Sequence, residues 1–144
     1  MTTIAMAGPA DEVRNAPGRG AVRAGWALSG IAILFFMMDS ALKLSNLPIV
    51  PETMAQLGWP ADIFTIYLLA TLLLGSTLLY AIPRTAMLGA VLLTAYLGGA
   101  VATHVRVGNP LFSHILFGVY LGLFVWGGLW LRDPRIRALL PLVR

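Results

Sequence analysis

Residues 62–105 read DIFTIYLLATLLLGSTLLYAI, then PRT, then AMLGAVLLTAYLGGAVATHV: two apolar runs either side of Pro83-Arg84-Thr85. Each run is about 20 residues long, which as a helix rising ~1.5 Å per residue covers a hydrocarbon core of ~30 Å. No Asp, Glu, Lys or Arg lies between Asp62 and Arg84, or between Arg84 and Arg106. Pro60 and Asp62 supply a helix start and an N-cap, and Pro83 ends the first run. So short a connection leaves the two helices no arrangement but antiparallel neighbours. The stretch reads as a transmembrane hairpin.

The same reading extends outward in both directions. A first span runs from Gly25 to Leu44, with Asp39 and Lys43 in its last turns and Pro48 and Pro51 stopping it. After Gly108-Asn109-Pro110 turns the chain, a fourth span runs from Leu111 to Leu131 and ends at Asp133-Pro134. The expected fold is an all-α bundle of four transmembrane helices, over about 25–44, 62–82, 86–105 and 111–131. Pro51 to Pro60 reads as a short surface helix in the first loop: Pro51 suits a first helical position, Glu52 the positive N-terminus, and Gly58 the stop. Met54 and Leu57 would face the bundle or lipid, Glu52 and Gln56 water. Residues 1–24, with Gly8, Pro9, Pro17, Gly18 and Gly20 among scattered charges, read as a disordered tail. Residues 132–144 read as a basic tail. The first run has no convincing A-x-A site after it and acidic residues before it, which reads against a cleaved signal peptide.

Composition agrees. The chain has 144 residues, 58% hydrophobic and 11% charged, against about a quarter charged in soluble domains. That leaves too little polar surface to cover a water-soluble core, so the lipid bilayer is the natural partner. The net charge of +4 comes from flanking arginines rather than a basic patch with interleaved aromatics, which argues against nucleic acid. There is no cysteine, which excludes disulfides and a dithiol relay within the chain.

Basic residues also set an orientation. Arg14, Arg19, Arg23, Arg84, Arg132, Arg135, Arg137 and Arg144 share one side of a four-span chain, and only Lys43 and Arg106 lie on the other. The positive-inside rule then places both termini in the cytoplasm of a multi-pass inner (plasma) membrane protein. Trp26, Tyr80, Trp126 and Trp130 would mark the cytoplasmic interface, and Trp59 the outer one.

Small residues four apart let helices approach closely in lipid. Gly118 and Gly122 form such a pair, as do Ala95 with Gly99, Gly98 with Ala102, Gly25 with Ser29, and Thr71 with Gly75. These faces pack a four-helix bundle, and a homodimer is a second use for them. His114 shares the Gly118 and Gly122 face and should look into the bundle. Asp39 and Lys43 lie on one helix face, with Asn46 next along. Asp39, Lys43, Thr103, His104, Arg106 and His114 would thus line one polar pocket at the outer end. Each has a plainer role available: an ion pair for Asp39 and Lys43, a snorkelling anchor for Arg106, a packing histidine for His114. Two histidines on neighbouring helices can hold haem iron, but no C-x-x-C-H attachment or second histidine pair accompanies them. No third ligand is apparent for a metal.

Three segments carry a family resemblance: Asp39-Ser40-Ala41-Leu42-Lys43-Leu44, Leu57-Gly58-Trp59-Pro60, and Ala102-Thr103-His104-Val105-Arg106-Val107-Gly108-Asn109-Pro110. In order and spacing they resemble the DoxX-like family of small four-helix membrane proteins, from about Gly25 onward. The resemblance implies the four-span fold and, through the family's name-giving relative, a link to a membrane quinone oxidoreductase acting on thiosulfate. It leads to a first expectation of an accessory or subunit of a redox system, working with a redox partner protein and binding a quinone headgroup or small anion. A non-catalytic assembly protein and a small-molecule transporter are the alternatives. Transport suits an ionisable residue at mid-membrane, whereas Asp39 sits near an end.

Overall fold

Asp62 starts the second long helix as its sequence requires. Its side chain accepts a hydrogen bond from the Thr65 amide at 2.9 Å and one from the Thr65 hydroxyl at 2.8 Å. These bonds, the amide's first, hold the Asp62 carboxyl below the usual carboxylate range. The computed structural model describes residues 18–139. Its helices are α1 (Arg19–Leu44), the short α2 (Ile49–Gln56), α3 (Ile63–Ala81), α4 (Ala86–Arg106), α5 (Leu116–Arg132) and the short α6 (Pro134–Leu139). A π-helical turn, Leu111–Ile115, leads directly into α5. No strand occurs among the described residues.

Helices α1, α3, α4 and the combined Leu111–Arg132 are long and apolar enough to cross a membrane. In each, only 22–33% of the most apolar window is buried within the protein. Leu34, Phe64, Leu123 and Phe112 point outward. A helix this apolar with most of its surface outside is solvated by lipid, not water. Each long helix packs on its neighbour in sequence, and α5 closes the ring against α1. The core runs through Ala32, Phe36, Leu73, Leu93, Leu121 and Val125.

The tightest contacts are at the end that carries the termini. A Cβ at Gly25 would lie 2.8 Å from both Gly128 O and Arg132 N, and one at Gly128 would lie 2.9 Å from Ser29 N. The α1–α5 crossing is therefore backbone on backbone. At the α3–α4 turn a Cβ at Gly89 would lie 2.2 Å from Tyr80 N. Between α4 and α5, Gly118 meets Val101 and Leu97, with Gly122 looser against Leu97. Tyr80 ties three helices together. Its hydroxyl donates to Val125 O at 2.8 Å and accepts from Ser29 Oγ at 2.8 Å. Arg132 donates to Tyr80 O and lies 4.1 Å from the Trp26 ring centroid.

Several expectations need correction here. Gly98, Gly99 and Gly75 have nothing within 4 Å of a Cβ, and Thr71 is exposed. Spacing alone cannot say whether a small-residue face meets a helix or a void, and these do not pack. Tyr80 is a fully buried core residue, because its hydroxyl finds partners inside the bundle and needs no headgroup region. Helix α1 begins at Arg19, so residues 19–24 belong to it rather than to a tail. Packing of Gly25 and Trp26 against α5 carries the helix through Gly20 despite its low propensity. Residues 134–139 likewise form a helix. The remainder of the expected tails, 1–17 and 140–144, lies outside the described residues. Helix α2 begins at Ile49, after Pro48 has already adopted helical angles, so Pro51 sits inside its first turn.

Ser40 is buried on α1, and its hydroxyl has no hydrogen-bond partner among the described residues. An unsatisfied buried hydroxyl costs about 1–3 kcal/mol. Ser40→Ala is expected to raise the melting temperature in mild detergent by a few degrees. A lower melting temperature would mean that the hydroxyl has a partner in the membrane.

Candidate functional site

At the end opposite the termini the four long helices part around a cavity of about 460 Å3. Helix α1 contributes Phe35, Phe36, Asp39 and Lys43, α4 contributes Tyr96, Thr103 and His104, and the α5 segment His114 and Phe117. Helix α3 reaches it only through Leu69; α1, α4 and the α5 segment form most of the wall, and α2 adds Ile49, Val50, Thr53 and Met54. Small side chains on α4 explain why a void forms there. Ala95, Gly99 and Ala100 line it, and Gly99 leaves space that a larger residue would fill. Most of the wall is apolar, with Phe35 and Phe117 in edge-to-face contact at 5.2 Å.

Five of the six expected site residues reach this cavity: Asp39, Lys43, Thr103, His104 and His114. Asp39 and Lys43 form a partly buried ion pair one helical turn apart. The rings of His104 and His114 meet edge to face with centroids 5.6 Å apart. His114 stands in the π-helical turn and is exposed at the cavity's edge rather than buried in the bundle. The wider turn breaks the simple four-residue spacing from His114 to Gly118 on which the inward placement rested. Ser113 Oγ lies 2.8 Å from its Nδ1.

Arg106 does not line the cavity. Its guanidinium donates to Leu57 O at 2.7 Å, passing beside Gly58. Gly58 has φ +69, a conformation that favours glycine and returns the chain after α2 toward α4. Trp59 follows it, and its indole Nε1 donates to Thr103 Oγ1 at 3.3 Å. Thr103 in turn donates to Gly99 O at 2.9 Å. Helix α2 thus lies over this end of the bundle, its Val50 and Met54 packed on Ile66 and the segment after it pinned to α4.

Sequence reasoning missed three participants. Tyr96 lines the cavity from α4, two turns before Thr103, and nothing in a lone mid-span tyrosine marks it. Trp59, an interface anchor by its sequence position, also lines the cavity. Asn109 is more than part of a turn. Gly108, at φ +71, brings the chain back so that the Asn109 side-chain amide nitrogen Nδ2 lies 2.7 Å from His104 Nδ1. With that amide donating, Nδ1 accepts and the neutral ring carries its proton on Nε2. A glycine-asparagine pair closing a helix that ends in a histidine is a signal that could have been used.

These features define a class: a four-span membrane helical bundle with a ligand-sized, largely apolar cavity and a polar corner at one end. Residues 27–128 match the DoxX-like family, and the chain belongs to it. It is a DoxX-like multi-pass membrane protein. No curated protein and no solved structure matches the chain.

Proposed function

We propose that this protein is an accessory or subunit of a membrane redox system and holds a quinone headgroup in the cavity. The cavity itself carries the reading. Its volume falls within the roughly 300–1,000 Å3 typical of small-molecule sites, its walls are mostly apolar, and its ionisable groups are gathered on α1, α4 and the start of the α5 segment. A quinone headgroup asks for that combination, being a flat apolar ring whose carbonyl oxygens only accept hydrogen bonds. His104 Nε2, the Tyr96 hydroxyl and the Lys43 ammonium are donors of the right kind. Phe35, Phe36 and Phe117 would flank the ring and keep water from it.

A small anion suits the cavity less well. Lys43 is committed to Asp39, and Arg106 is outside, committed to Leu57 O. A buried anion would lack an uncompensated cation. Transport suits it less well again, since the ionisable residues lie at one end of the bundle rather than midway. The asymmetry of basic residues supports a plasma-membrane orientation with both termini cytoplasmic and the cavity at the outer face. Electrons would come from a redox partner protein in the same membrane.

Native mass spectrometry of protein released from mild detergent, with quinone extraction, tests the reading. The wild type should carry near-stoichiometric quinone, and His104→Ala should lose at least nine-tenths of it while keeping its melting temperature. A co-purifying protein with no quinone would instead favour an assembly role. Quinone retained by a folded His104→Ala would remove His104 from the site.

A further inference from the structure

Helices α1 and α5 draw apart along their length. Near the termini they meet backbone on backbone at Gly25 and Gly128. Further along, Phe35 meets Phe117, so two aromatic side chains now stand between the helices. Beyond that pair the π-helical turn Leu111–Ile115 packs on α4 and α5, with no comparable packing on α1. Gly118 lets this end of α5 lean on Val101 and Leu97 of α4 instead. The two helices therefore bound a wedge that widens towards the cavity. Leu42 on α1 and Phe117 on α5 both line the cavity, yet they are 43% and 41% exposed. An exposed apolar side chain on a membrane-spanning helix faces lipid, so between these two residues the cavity opens sideways into the bilayer. The end of the bundle is better covered. There Val50 and Met54 of α2 are buried against the cavity, and the segment after α2 is tied to α4 through Trp59 and Arg106.

We propose that the ligand is a lipid quinone with a long hydrocarbon tail, which enters sideways through the gap between α1 and the start of the α5 segment and leaves its tail there. The inference rests on the quinone reading and names the form of the ligand and its route. At about 460 Å3 the cavity is in the lower half of the small-molecule range, room for a headgroup and little of a tail. The remaining tail is hydrocarbon, which lipid solvates and water does not. The gap is also graded in the right sense. Phe35 lies four residues before Asp39, and Phe117 three after His114, so both rings sit about one turn deeper in the membrane than the ionisable groups. A quinone in the leaflet at this end already holds its polar head at the level of Asp39, Lys43 and His114. Its tail is then at the level of the two phenylalanines. Sideways entry needs neither inversion of the ligand nor passage of its tail through water.

The test uses the full chain in lipid nanodiscs with two probes: an isoprenoid benzoquinone carrying a diazirine in its first tail unit, and the tail-less benzoquinone headgroup. After illumination, peptide mapping locates the label. It should fall on residues 38–42 of α1 and 111–117 of the α5 segment, and unlabelled isoprenoid quinone should displace it. Binding of both probes is then compared in wild type and Leu42→Trp, which narrows the gap from its lipid side. The variant should bind the isoprenoid quinone at least tenfold more weakly, bind the tail-less one as the wild type does, and keep its melting temperature. Label on α2 or Trp59, or across Ala95 and Gly99 of α4, would overturn the route and leave the site intact. So would a Leu42→Trp variant that treats the two quinones alike. Binding of neither quinone by the wild type, with no displaceable label, would instead overturn the site.

Discussion

A single methyl group added at Gly89 is expected to destabilise the bundle by roughly 3 kcal/mol, the upper range for overpacking a well-filled site. The added carbon would lie 2.2 Å from Tyr80 N and 2.5 Å from Tyr80 Cα. Both are backbone atoms, so no side-chain rotation relieves the contact. Tyr80 cannot retreat cheaply either. Its hydroxyl is held between Ser29 and Val125, and its carbonyl accepts from Arg132. Relief would come only by lengthening the α3–α4 turn or parting the two helices. Gly98→Ala on the same helix is the matched control, since nothing lies within 4 Å of its Cβ. Thermal unfolding in mild detergent should place Gly89→Ala about 6–12 °C below wild type, with Gly98→Ala at or slightly above it. Equal melting temperatures for the two variants would contradict the packing at the turn.

That contrast shows what the sequence could and could not reveal of the fold. The number of spans and the limits of the last three were legible because lipid imposes a length and a hydrophobicity on every span, and prolines and Asp62 punctuate them; the start of α1 at Arg19 and the short helix α6 were not. Which glycines pack was only partly legible. Gly118 and Gly25 do meet neighbouring helices, but Gly98, Gly99 and Gly75 have the same kind of spacing and meet nothing. The tight Gly89 contact arises from the turn geometry, and Gly128 from the crossing of α1 and α5. Both depend on helix rotation, which hydropathy leaves undefined when all sides of a helix are apolar.

The site was legible for a different reason. Ionisable residues are rare in lipid and few positions accept them, so Asp39, Lys43, His104 and His114 stood out before their positions were known. Their gathering around one cavity follows from all of them lying near the same ends of adjacent helices. Arg106 failed because its reach carries it over Gly58 to a carbonyl, a matter of loop path. The pocket was expected as a polar corner, but Tyr96 and the largely apolar body of the cavity were not legible, for a shared reason. A void is made by what is missing, and the small residues of α4 that create it look the same as those that close a helix interface.

The cavity therefore yields its sharpest test at Gly99 rather than at a polar residue. Gly99→Leu is expected to reduce quinone content at least tenfold without lowering the melting temperature. Gly99 lines the cavity and a Cβ there meets nothing within 4 Å, so a leucine can enter the void without displacing the backbone. It would bury apolar surface that the wild type leaves unpacked, contributing on the order of 1 kcal/mol of stability, while occupying the volume a headgroup needs. The neighbouring Gly98 is equally open but is not part of the cavity wall. Gly98→Leu should keep its quinone. The pair separates a ligand inside the bundle from one adsorbed on its lipid-facing surface, because two adjacent glycines point the same substitution in different directions around α4. If Gly98→Leu loses the quinone and Gly99→Leu keeps it, the ligand sits on the outside of α4, and the histidines and the ion pair serve the fold rather than the ligand.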